Sequence, residues 1–99
     1  MAIFIVERRL PELSLEHLIM AQRALADSSR RISMGGDSVR YLRSTFFPAG
    51  GRCVCMFEAN SLDLVRRVNE VAQVPFDRIV EALHFEDPGA THDTGGQMS

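Results

Sequence analysis

The hydrophobic pattern marks four short apolar-rich segments, at about 2–8, 38–47, 52–59 and 78–86, and each reads as a β-strand whose side chains fall on two faces with period two. Between them lie two stretches with the period of an amphipathic helix. The first follows Pro11: Leu15, Leu18, Leu25 and Ile32, with Ala21 and Ser28 between, form one apolar stripe. Ser14 is its expected N-cap, with Leu13 and Leu18 placed as a hydrophobic staple, and Gly35-Gly36 is the expected stop. The second starts at Asn60 or Ser61 and runs to about Gln73, with Leu64, Val65, Val68, Val71 and Ala72 on its core side and Pro75 after it. Pro48-Ala49-Gly50-Gly51 is a hairpin signal, with glycines where positive φ is needed.

The order is therefore β-α-β-β-α-β. It predicts an α+β, ferredoxin-like βαββαβ fold: a four-stranded antiparallel sheet, strands one and three central, with two helices on one face. Three of the strands read as apolar on both faces, but the helices hide only one. The alternation groups Ile3, Ile5 and Glu7 with Tyr41 and Arg43, with Val54, Met56 and Glu58, and with Ile79, Glu81 and Leu83 on the uncovered face. Its apolar part is expected to pair two copies as a dimeric α+β barrel. Its ionisable part gives the candidate ligand-binding residues: Glu7, Tyr41, Arg43 and Glu58. Carboxylates accept hydrogen bonds or ligate a metal, a guanidinium clamps an anion, and a phenol bonds to either. Unpaired carboxylates on such a face are costly, so Arg43 is expected to neutralise Glu7 or Glu58.

Composition narrows the function classes. The chain has 99 residues and a formal net charge of -2, which suits one domain and offers no basic surface to nucleic acid. No segment approaches the apolar length of a membrane span, and no secretion signal is evident, so a cytoplasmic protein is expected. The expected domain is 1–87, followed by a flexible tail at 88–99 in which His92 and Asp93 belong to the tail rather than to a site. All eleven cationic side chains are arginine, which excludes lysine Schiff-base chemistry. Cys53 and Cys55 lie two apart on one strand, where a disulfide would be strained; they are expected to be reduced, packed thiols.

Phe-Ile-Val-Glu-Arg-Arg-Leu-Pro at 4–11, Val-Arg-Tyr-Leu-Arg-Ser at 39–44, Cys-Met-Phe-Glu-Ala at 55–59 and Val-Pro-Phe-Asp-Arg-Ile-Val-Glu at 74–81 resemble a family of small ferredoxin-like domains that includes an actinobacterial nickel-binding protein. Glu7, Tyr41, Ser44, Cys55 and Glu58 match its pattern. The resemblance implies a homodimer, with a divalent metal such as nickel bound in at least one relative. Where members of the family often carry histidine, this chain has Arg43, and near a second such position it has Val68. The reading is a homodimeric protein that binds a small molecule or divalent metal ion on its open sheet face without evident catalysis. The alternative is a small cofactor-independent enzyme, isomerase- or monooxygenase-like, and that rests on fold analogy.

Overall fold

The computed structural model describes residues 1–10 and 14–89. Its elements are β1 (Ala2–Arg9), α1 (Leu15–Met34), β2 (Val39–Phe47), β3 (Arg52–Ala59), α2 (Leu62–Ala72) and β4 (Arg78–Ala82). The strands form one antiparallel sheet in the order β2-β3-β1-β4, so β1 and β3 are central. This is the ferredoxin-like α+β fold expected from the periodicity.

Local chemistry explains the element ends. Ser14 Oγ accepts from the His17 N–H at 3.2 Å and Ser61 Oγ from the Leu64 N–H at 3.3 Å, so each helix satisfies a first-turn donor with a serine. Gly50 and Gly51 take φ of 89° and 67° in the β2–β3 turn, a region that a β-carbon makes costly. The end of α2 is formed by Gln73 at φ 60°, without a glycine. Leu13, the expected staple residue, and nearly all of the 88–99 tail, including His92 and Asp93, lie outside the described residues.

Phe4 and Val6 of β1, Cys53, Cys55, Phe57 and Ala59 of β3, and Leu25, Ile32, Val65 and Val68 of the helices form the core on the covered face. Burying a side chain such as Phe57 or Val6 contributes about 1.5–3 kcal/mol. The first two turns of α1 stand away from this core. Leu15 is 71% exposed and Met20 65%, although Leu15 falls on the predicted stripe.

Two features depart from simple alternation. Tyr41 pairs with Phe57 but Arg43 pairs with Met56, so Leu42 is the extra residue of a β-bulge. Strand β4 ends at Ala82 rather than near 86. Among the described residues its sole neighbour is β1, where Ala82 pairs with Ile3 one residue from the strand's start, and the ladder has no partner farther on. Among the described residues no helix is long and apolar enough to cross a membrane.

Candidate functional site

Residues opposite one another in an antiparallel pair share a face. Ile3, Ile5, Glu7 and Arg9 of β1 therefore share the uncovered face with Arg52, Val54, Met56 and Glu58 of β3 and with Arg78, Val80 and Ala82 of β4. Arg40, Arg43, Thr45 and Phe47 complete it from β2. Three of the four candidate residues, Glu7, Arg43 and Glu58, lie on this face. They do not converge. Glu7 pairs with Val54 and Glu58 with Ile3, four positions apart along β1 and so about 13 Å. Charged groups thus flank an apolar centre at both ends, rather than gathering at one.

The expected partnership of Arg43 with a carboxylate is not formed. Arg78 donates to Glu7 from Nε at 2.9 Å and from Nη2 at 3.3 Å, and Arg40 reaches Glu58 at 3.3 Å. The Arg78 hydrogen bonds hold the Glu7 carboxyl below its ordinary pKa. Arg43 instead donates to the Met56 sulfur at 3.2 Å. It occupies the central row of the face, which runs Arg43, Met56, Ile5, Val80 across the four strands.

Tyr41 is on the other side. The bulge at Leu42 resets the alternation, so Val39 and Tyr41 face the helices and Arg43 faces out. The Tyr41 ring meets Phe57 edge-on at 5.5 Å, and burial pushes its phenol pKa up. Glu81 and Ile79 are turned the same way, opposite Phe4 and Val6, while Val80 takes the outward position. Strand β4 has this phase because its pairing with β1 sets Arg78 opposite Glu7.

The covered face holds a second assembly. A cleft of about 230 Å³ opens beneath the raised first turns of α1, walled by Leu15, Leu18, Ile19 and Leu25 and floored by Phe46, Cys53 and Cys55. Its polar groups are Arg8, Gln22 and Ser44. Arg8 is 2% exposed, and its guanidinium donates to Asn69 Oδ1 at 2.6 Å and to the carbonyls of Val74 and Pro75 at 3.2 and 2.9 Å. All three acceptors are neutral, and Arg8 Nε has no hydrogen-bond partner among the described residues.

Beside it the Ser44 hydroxyl donates to Cys55 Sγ at 3.0 Å, and Cys53 Sγ lies 4.0 Å from the same sulfur. Tyr41 Oη is 2.6 Å from Ser44 Oγ and extends the chain. The hydrogen bond between the two thiols is the main cause that lowers the Cys55 pKa, with the Arg8 charge adding to it; the same bond raises that of Cys53. Arg8 was not among the sequence candidates. Its period-two phase with Phe4 and Val6 is the signal that could have found it.

A larger groove of about 500 Å³ runs between the C-terminal half of α1 and β2. Its two arginines, Arg30 and Arg40, are already paired with Asp27 and Glu58.

Comparisons with known proteins agree with this architecture. The crystal structure of SCO4226 from Streptomyces coelicolor A3(2) superposes with a TM-score of 0.63 at 24% identity, over 91% of this chain and 100% of that one, a likeness of fold. No curated protein matches the chain. Residues 4–82 match the family described as nickel responsive protein, SCO4226-like. That match spans both helices and all four strands, and the chain belongs to the SCO4226-like family of nickel responsive proteins.

Proposed function

We propose that this chain is a non-catalytic homodimeric binding protein of the cytosol that takes a small anionic ligand between two facing sheets. The observation that carries the reading is the charge balance of the open face. Five arginines (Arg9, Arg40, Arg43, Arg52 and Arg78) stand there against two glutamates, Glu7 and Glu58, around a half-buried apolar centre. Arg43, in the central row, has no carboxylate partner among the described residues.

Burying Ile3, Ile5, Val54, Met56 and Val80 against a second copy would contribute about 1.5–3 kcal/mol each before entropy is subtracted. Leu83 and Phe85, 81% and 84% exposed beyond the end of β4, would gain cover from the same partner. The arginines oppose that approach unless a counter-charge enters with them. A carboxylate or oxyanion, held bidentately by the two copies of Arg43, supplies it.

The family match favours a second reading, a divalent metal. Nickel prefers imidazole among common ligands. Among the described residues no three His, Cys, Asp or Glu side chains are close enough to share an ion, and both open-face carboxylates are engaged by arginine. The donor set of one chain's described residues does not fit a resident nickel ion. Built from the described residues, a site would have to combine the carboxylates of both subunits.

Native mass spectrometry, sedimentation and metal analysis of the untagged protein test these readings. The expected result is a dimer that carries a small anionic molecule, with the molecule lost in Arg43→Met. A ligand-free stable monomer would overturn the proposal. Nickel that copurifies and is lost in Glu7→Gln would replace the anion by the metal.

A further inference from the structure

The cleft beneath α1 lies on the side of the sheet away from the open face and has a chemistry of its own. Its arginine is the first anomaly. A guanidinium removed from water normally keeps a carboxylate beside it, because an uncompensated buried cation is expensive. Arg8 is 2% exposed, donates to three neutral oxygens and, among the described residues, has no carboxylate beside it and no acceptor for Nε. The groups lining the cleft that can carry a compensating negative charge are two thiols, Cys53 and Cys55.

The second anomaly is the environment of Cys55. Its sulfur receives the Ser44 hydroxyl hydrogen bond at 3.0 Å and has the Cys53 thiol 4.0 Å away. Donors directed at one sulfur favour its anionic form, in the same way that donors around an oxyanion do. A Cys packed as a plain hydrophobe needs neither the hydroxyl nor the guanidinium. The walls above are the side chains of Leu15, Leu18, Ile19 and Leu25, so a molecule that reaches this sulfur must be small and largely apolar.

From the buried arginine without a counter-ion, the hydroxyl donor and the apolar cleft, we infer that Cys55 is a nucleophilic thiolate that captures small apolar electrophiles by conjugate addition. The Cys55 sulfur lone pair forms a bond to the β-carbon of an α,β-unsaturated carbonyl compound. The carbon–carbon π pair moves onto the α-carbon and carbonyl oxygen as an enolate, beside Arg8. A proton from water then completes the α-carbon. The adduct therefore weighs the protein plus the whole electrophile, and no oxidant or reductant is consumed. Cys53 keeps its proton and serves as a donor to its neighbour.

N-ethylmaleimide, a small uncharged conjugate acceptor, is the probe. The folded full-length chain is treated at pH 6, where ordinary thiols are almost wholly protonated, and labelling is followed by intact mass and peptide mapping. One adduct is expected, on Cys55, formed at least ~10-fold faster than on glutathione under the same conditions. Cys53→Ser should retain that adduct and Cys55→Ser should abolish it. Ser44→Ala, at an exposed position, should slow it without unfolding the chain. Arg8→Met should slow it further, with circular dichroism confirming the fold. A negatively charged maleimide of the same reactivity should lag behind the neutral one. Labelling of both cysteines at equal rates, or of neither until denaturant is added, would overturn the inference, as would a rate in Ser44→Ala equal to that of the unaltered chain.

Discussion

Arg78 holds both carboxylate oxygens of Glu7, at 2.9 and 3.3 Å, across the edge of the β1–β4 ladder. The two residues are also paired in register, and the Asp77 N–H donates to the Glu7 carbonyl at 2.7 Å one step away. Backbone and side chain together anchor the short strand β4 to the rest of the sheet.

This pair sets an acid dependence. Its hydrogen bonds with Arg78 place Glu7 below its ordinary pKa in the folded chain. The stability it contributes is complete above the unfolded carboxylate value and is lost as pH falls through the lowered folded one. Urea midpoints of the unaltered chain and of Glu7→Gln should therefore differ at neutral pH and converge in acid. A constant difference across that range would contradict the pairing.

Ile5 occupies the central row of the open face, between Met56 and Val80. If two copies meet there, Ile5→Asp places a carboxylate at the middle of the contact with little effect on the covered core. Sedimentation should report a monomer, while circular dichroism stays that of the unaltered chain.

Asn69 is fully buried; it accepts from Arg8 at 2.6 Å and donates to the Val65 carbonyl at 2.8 Å. Asn69→Ala removes an acceptor from a buried cation. A loss of about 1.5–3 kcal/mol in urea denaturation is expected, the range for hydrogen bonds to charged groups.

Leu42 is the bulged residue that divides β2 into two phases. Deleting it would make Tyr41 and Arg43 neighbours, opposite the consecutive Phe57 and Met56, so every other side chain of β2 keeps its face. A folded chain that keeps the near-ultraviolet circular dichroism of Tyr41 against Phe57 is expected, and loss of that signal would contradict the bulge at Leu42.

Much of the architecture was legible in the residues, because it depends on local rules. Ser14 caps α1, the Gly50-Gly51 pair supplies positive φ, and period two and period 3.6 alternate in the right order. Nearest-neighbour sterics and a half-buried surface are enough to write those features into consecutive positions. The sequence by itself thus determined the element order and the ferredoxin-like sheet.

What only the tertiary structure decided is the phase and the partners. Alternation says that Tyr41 and Arg43 share a face, and the bulge between them leaves Arg43 outside and sends Tyr41 to the helices. The same pattern leaves β4 free to present either set, until its pairing with β1 fixes Val80 outward and Ile79 inward. Glu7 finds Arg78 rather than Arg43, and Arg8 finds Asn69, Val74 and Pro75, over separations of 61 to 71 residues. Strand periodicity carries no information on a one-residue slip or on which distant charge arrives. Register and packing, which belong to the whole chain, settle both.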